Sequence, residues 1–319
     1  MKPVLLYNAV PNPYLVGRLA ANFEIIDIHA DPLGAVAALG SEITSCVQIM
    51  VGGGELGVSA ELMDKLPALK LIANFGVGYD KIDVPAAKAR GIMVTNTPDV
   101  LSAEVADLTV ALMLAVSRRL VEADDYVRSG AWEQIGPGTF PLTHKMSGKR
   151  AGIVGMGRIG REIVKRLKAF DMEIAFYGHH DEPGLTRMHS LTELAAFADF
   201  LILAVPGRPE NRHLINAEVL KALGPDAYLI NIARGMVVDE EALTVALEQG
   251  VIAGAALDVF EAEPKVSARL RALKDKTVMC PHIGSATVET RQAMSDLVAA
   301  NVEACRTGRP YLTPVPECR

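Results

Sequence analysis

An apolar run of strand length, Ala151–Val154, passes directly into Gly155-Met156-Gly157-Arg158-Ile159-Gly160, and an amphipathic helical pattern follows. A G-x-G-x-x-G string in that context leaves few options for the fold. The first glycine permits a tight turn, the second lets backbone approach a pyrophosphate, and the third lets the helix lie close to the strand. The helix N-terminus that results stabilises an anion placed against it. The string therefore implies a βαβ unit of a parallel sheet with a dinucleotide as its ligand, held by Gly155, Met156, Gly157, Arg158, Ile159 and Gly160.

The following strand, ending at Tyr177, is where an acid about twenty residues on binds the ribose hydroxyls of NAD. Gly178 stands in that place, followed by His179 and His180, and Asp181 comes late. An acid there would repel a 2′-phosphate, so its absence admits NADP. His179 and His180 can donate hydrogen bonds to that phosphate, and a dianion nearby favours their protonated forms. NADP is the expected cofactor, and NAD is the alternative should Asp181 reach the ribose.

The rest of the chain repeats the same texture. Domains usually run to roughly 100–200 residues, so 319 residues suggest two. Short apolar runs alternate with helical patterns up to Thr95: Val4–Tyr7, Glu24–Ile28, Val47–Val51, Leu71–Phe75 and Ile92–Thr95. A second series holds Ala151–Val154, Glu173–Tyr177, Phe200–Val205, Tyr228–Ile232 and Gly254–Val259. Strands of this kind imply parallel sheets covered on both faces. The expected fold class is α/β, with two doubly wound parallel-sheet domains: a flavodoxin-like substrate domain and a Rossmann cofactor domain. Residues 1–99 plus 287–319 are assigned to the first and 100–286 to the second, because a turn at Asn96–Asp99 precedes a long Ala-rich helix from Ser102 to about Arg119, and a final helix near Val288–Ala304 is expected to return to the first domain.

Composition excludes several classes. A net charge of -6 argues against a nucleic-acid binder and against an anionic membrane surface. Cys46, Cys280, Cys305 and Cys318 form no C-x-x-C pair and no Cys/His cluster, so no metal site is expected. The first residues read as a strand followed by Pro11 and Pro13 rather than a signal peptide, and no apolar run approaches the ~20 residues that span a bilayer. A cytoplasmic location is expected.

Several further segments stand in a fixed order: Asn74-Phe75-Gly76-Val77-Gly78-Tyr79-Asp80, the glycine string, Asn231-Ile232-Ala233-Arg234-Gly235, Leu257-Asp258-Val259-Phe260-Glu261-Ala262-Glu263-Pro264, and Pro281-His282-Ile283-Gly284-Ser285. With these segments the chain resembles the D-isomer-specific 2-hydroxyacid dehydrogenases along nearly its whole length. The resemblance implies that Arg234, Glu263 and His282 form the catalytic trio. It implies that Gly178, His179, His180, Val205, Pro206, Ile232, Ala233, Arg234, Asp258, His282 and Gly284 join the glycine string at the cofactor, Asp258 beside the nicotinamide. It also implies that Gly53, Val77, Gly78, Arg234 and His282 meet the substrate, with the Val77 and Gly78 amides on its carboxylate; Gly52–Gly54 are a weaker expectation for the same cleft.

The chemistry agrees with that assignment. Reduction of a 2-oxo acid needs a proton donor beside the carbonyl oxygen, and histidine serves near neutral pH. A carboxylate on the other ring nitrogen fixes the tautomer, and an arginine grips the substrate carboxylate while polarising the keto oxygen. Among subfamilies the chain is most similar to glyoxylate/hydroxypyruvate reductases, and the resemblance implies a homodimer through the cofactor domains, with the Ser102 helix and the Trp132 loop as contacts. The alternatives are a dehydrogenase for a bulkier or phosphorylated acid, and a nicotinamide-sensing interaction protein of the corepressor type.

Overall fold

Five strands make the first sheet: β1 (Val4–Asn8), β2 (Glu24–Asp27), β3 (Ile49–Gly53), β4 (Leu71–Phe75) and β5 (Met93–Thr95). They pair in parallel in the order β2-β1-β3-β4-β5, the flavodoxin-like arrangement. Side chains alternate between faces along a strand, and here both faces are buried. Leu6, Met50 and Ile72 face one apolar cluster with Leu62 and Val84. Leu5, Tyr7, Ile49, Val51, Leu71 and Ala73 face another with Leu15 and Leu19. Val298 and Val302 of the terminal helix Val288–Thr307 complete that second cluster. The chain divides accordingly into two units, Met1–Leu101 with Thr287–Arg319 and Ser102–Ala286. The structure is a computed structural model and describes residues 2–53 and 56–319. Gly54, expected near the substrate, lies outside the described residues.

The second unit holds seven parallel strands: β6 (Arg150–Val154), β7 (Glu173–Tyr177), β8 (Thr186–Arg187), β9 (Phe200–Leu203), β10 (Tyr228–Asn231), β11 (Gly254–Leu257) and β12 (Thr277–Met279). Their order is β12-β11-β10-β9-β6-β7-β8, the Rossmann order with one strand added at the β12 edge. The order reverses between β6 and β9, which is where such sheets bind ligands. The helix Ser102–Ser117 packs on the helix Arg158–Lys168 and on β10 and β11, so it belongs to the core of this unit. Three details differ from the sequence reading. That helix stops at Ser117: Arg119 takes a left-handed φ of 51°, and a second helix, Leu120–Arg128, follows. The edge strands β8 and β12 were not expected; each is too short to show a period. Gly52 and Gly53 lie inside β3 rather than after it.

Candidate active site

The cofactor-binding candidates of the second unit gather along one edge of its sheet. Gly155 follows β6 and Gly178 follows β7; Val205 and Pro206 lie just past β9; Ile232, Ala233 and Arg234 follow β10, and Asp258 follows β11; His282 and Gly284 lie beyond β12. Parallel packing puts every one of these carboxyl ends on the same side.

The glycine string has distinct local reasons at each position. Gly155 has φ +99°, and a Cβ there would lie 2.6 Å from the Ala204 carbonyl oxygen. A Cβ on Gly160 would lie 2.4 Å from the Gly155 carbonyl oxygen, so the helix sits directly against the turn. Gly157, at the N-cap of that helix, has open space where a Cβ would be. That opening above the helix N-terminus suits a pyrophosphate, and the first helical turn carries no acid. Met156 and Ile159 are half-buried, and Arg158 is exposed. Past β7, His179 and His180 are exposed. Asp181 pairs with Arg187 at 2.8 Å.

The loop after β10 is organised by Asn231, a buried residue to which the sequence reading gave no role. Its side chain accepts from the Ala233 N–H at 3.0 Å and donates to the Arg234 carbonyl at 3.1 Å. The Arg234 side chain is half-buried, with one guanidinium nitrogen donating to the Ala233 carbonyl at 2.8 Å. Glu263 and His282 meet directly. One Glu263 oxygen accepts the His282 Nδ1–H at 2.9 Å, and the other accepts the Phe260 N–H at 2.8 Å. A carboxylate accepts only, so in a neutral ring the proton sits on Nδ1.

His282 has φ +56°, an uncommon conformation outside glycine. Asp258 accounts for it. One carboxylate oxygen takes the Ile283 N–H at 2.7 Å and the other takes the Gly284 N–H at 2.8 Å, while the Asp258 carbonyl takes the His282 N–H at 2.9 Å. Asp258 is only 2 % exposed. Burial pushes its carboxyl above the ordinary value, and the two amides pull the other way. Burial also raises the neighbouring Cys280 thiol, with the Asp258 charge adding to it.

In the first unit, the loop Gly76-Val77-Gly78 presents its amides. The Gly76 and Gly78 carbonyls both accept from the Asn74 side chain at 2.9 Å, and the Val77 carbonyl accepts from Asn96 at 2.9 Å. With the carbonyls so engaged, the N–H groups of Val77 and Gly78 donate to no acceptor among the described residues. Backbone amides without an acceptor suit an anion. Asn74 and Asn96 are further residues that sequence reasoning passed over; an asparagine ending a strand before Gly-x-Gly is the available signal. Gly53 is buried in β3, where a Cβ would lie 2.5 Å from the Ala9 Cβ. That packing by itself explains its lack of a side chain. Among the described residues no group of His, Cys, Asp and Glu has the geometry of a metal site, and no helix is long and apolar enough to cross a membrane.

This edge of a Rossmann sheet, with a dinucleotide turn and an Arg–Glu–His set on successive strand ends, defines a nicotinamide-dependent dehydrogenase. Residues 110–284 match the family model for the D-isomer specific 2-hydroxyacid dehydrogenase NAD-binding domain, and the chain belongs to that family. It is 45 % identical to the glyoxylate/hydroxypyruvate reductase A of Arabidopsis thaliana over 304 residues, 95 % of each chain. It is 49 % identical to the hydroxyphenylpyruvate reductase of Plectranthus scutellarioides over 271 residues, 84 % of this chain and 85 % of that one. Among solved structures it is similar to the NADPH-dependent glyoxylate/hydroxypyruvate reductase of Sinorhizobium meliloti in complex with NADP and malonate, with a TM-score of 0.92 and 42 % identity over 100 % of this chain and 98 % of that one.

Proposed function

We propose that the protein is an NADPH-dependent reductase of short 2-oxo acids, with hydroxypyruvate and glyoxylate as its substrates and D-2-hydroxy acids as products. The Glu263–His282 pair, beside Arg234 on the edge that carries the glycine turn, is the observation that carries this reading. The names of the Arabidopsis and Sinorhizobium relatives support the substrate class. Gly178 in the place of an acid, the exposed His179 and His180, and an Asp181 already engaged by Arg187 support NADPH over NADH. Four unpaired cysteines support a cytoplasmic location.

The bound cofactor supplies hydride to the carbonyl carbon. In its doubly protonated form His282 gives its Nε2 proton to the oxygen that develops negative charge, leaving a neutral ring protonated at Nδ1, and Nε2 takes a proton back in the oxidative direction. Glu263 holds Nδ1–H, so the ring presents the correct nitrogen and its charged form is stabilised. Arg234 polarises the keto oxygen and pairs with the substrate carboxylate, a charge-assisted contact. The Val77 and Gly78 amides of the first unit are assigned to binding a carboxylate. Val205, Pro206, Ile232, Ala233, Asp258 and Gly284 are assigned to the cofactor.

The test is the rate of NADPH and NADH oxidation with hydroxypyruvate, glyoxylate, pyruvate, 3-phosphohydroxypyruvate and 4-hydroxyphenylpyruvate. The first two should turn over fastest, and with NADPH. Faster turnover of 4-hydroxyphenylpyruvate would favour the bulkier substrate class, which the name of the Plectranthus relative supports. Equal rates with NADH would overturn the cofactor preference. His282→Ala should abolish turnover while NADPH still binds; a variant with near-full activity would refute the assignment.

A further inference from the structure

Glu261 is a polar residue of the β11 loop with no part in the reaction outlined above, yet three side chains from two segments converge on it. One of its carboxylate oxygens accepts from an Arg212 guanidinium nitrogen at 2.8 Å and from the His213 Nε2 at 2.9 Å. Its own N–H donates to the Glu240 carboxylate at 3.1 Å. Glu240 is the first residue of the helix Glu240–Glu248, which follows the Arg234 loop.

The segment that delivers Arg212 and His213 is itself fastened to the Arg234 loop. The His213 N–H donates to the Met236 carbonyl at 2.8 Å, and the Ile215 N–H to the Val237 carbonyl at 3.0 Å. His213 has φ +50°, a conformation that a non-glycine residue keeps only when its surroundings impose it. Between the two catalytic loops there is no slack. A Cβ on Gly235 would lie 1.9 Å from the Phe260 carbonyl carbon and 2.3 Å from the Glu261 nitrogen, so backbone lies on backbone.

This arrangement bears on Glu263. One of its oxygens is committed to the Phe260 N–H and the other to His282. The orientation of the Phe260–Glu261 backbone therefore sets where the catalytic carboxylate stands, and Glu261 is the side chain that anchors that backbone. Stability does not explain the cluster. The Arg212 side chain is 55 % exposed and that of His213 35 %, and ion pairs this open add little to a fold.

We infer that Glu261, braced by Arg212 and His213 and by Glu240, is a positioning residue that fixes Glu263 against His282 by tying the β11 loop to the Arg234 loop. The inference rests on the trio assigned above. Glu261→Ala should lower kcat by about tenfold or more, since small misplacements at a reacting centre carry large rate penalties. KM for the oxo acid and the Kd for NADPH should stay within about threefold of wild type, because Glu261 is assigned to neither ligand. Arg212→Ala combined with His213→Ala, at an exposed surface that tolerates truncation, should reproduce the kcat loss. Adding Glu261→Ala to that pair should cause little further loss, as expected of groups that act through one contact. Glu261→Gln, which keeps an acceptor oxygen, should recover most of the rate. A folded Glu261→Ala or Arg212/His213 variant with kcat within twofold of wild type would overturn the inference, as would equal losses in kcat and NADPH affinity. A wild type inactive on every oxo acid, or a fully active His282→Ala, would overturn the trio and this inference together. A dead His282→Ala beside an unimpaired Glu261→Ala would overturn this inference alone.

Discussion

Two buried side chains outside the proposed catalytic trio hold loops that carry candidate site residues. Asn74 is 1 % exposed and turns two carbonyls of the Gly76–Gly78 loop inward. Asn74→Ala takes the side-chain donor from the Gly78 carbonyl and one of two donors from the Gly76 carbonyl, which keeps the Thr97 N–H, at about 1–3 kcal/mol of stability for a carbonyl left unsatisfied, and lets the loop rotate. KM for the oxo acid should rise about tenfold while the NADPH Kd holds; an unchanged KM would show that the Val77 and Gly78 amides do not receive the substrate. Asp258 has a pH signature as well. Its folded-state carboxyl is raised by burial, so the folded chain binds that proton more tightly than the unfolded one. The resulting stability is present below the unfolded value, ~3.9, and is lost as pH rises through the raised one. Asp258→Asn should flatten that part of the Tm–pH curve. It should also lower Tm throughout, because an amide N–H group then faces a backbone N–H where a carboxylate oxygen stood. Relaxation of the left-handed His282 should reduce kcat. Melting curves taken from pH 4 upward decide the matter, and an unchanged slope would trace the dependence to other carboxylates.

At the level of elements, the glycine turn separates ligand from fold. Gly157 and Gly160 lie three residues apart, yet a Cβ at the first meets nothing within 4 Å and at the second strikes the Gly155 carbonyl oxygen. Gly157→Ala should melt like wild type and bind NADPH about tenfold more weakly, since only the pyrophosphate needs that space. Gly160→Ala should lose about 1–3 kcal/mol by overpacking and lose cofactor affinity with it. Equal melting points for the two variants would contradict this division. Features of this kind were legible in the sequence because their causes are local: glycine at a turn and continuous apolar runs of strand length. The Arg234, Glu263 and His282 segments were legible as ordered motifs. What was not legible depends on neighbours distant in the chain. Asp258 could be placed beside a cofactor but not seen to clamp the His282 loop, whose amides lie 25 and 26 residues further on; Asn231 and Asn74 bond loops only two to four residues on, and their local pattern was passed over. The end of the Ser102 helix near Arg119 was read, but the helix Leu120–Arg128 that follows it was not, since no glycine or proline sets it apart. Strands β8 and β12, two and three residues long, carry too few side chains to show a period.

For the whole molecule, the open question is what covers the apolar surface of residues 120–142. Leu120, Val121, Val127, Trp132 and Ile135 are each about half exposed or more, and Leu142 is fully exposed. Scattered apolar residues on a surface need no explanation, but several large ones along one short segment mark an interaction site. A second copy of the chain is the partner proposed here, because closed two-fold pairs are the commonest assemblies of soluble chains and reuse one patch on both sides. The Ser102–Ser117 helix, also expected at such a contact, is largely engaged inside its own unit, so the interface is assigned to the segment beyond it. Sedimentation of the wild type should give about twice the chain mass of 34.1 kDa. Trp132→Glu combined with Ile135→Glu places two charges on each side of a two-fold contact and should give the single-chain mass with an unchanged circular dichroism spectrum. Both positions are exposed, so the folded unit loses no buried contact by the change. A wild type that sediments as one chain at micromolar concentration, or a double variant that remains paired, would remove this surface from the interface.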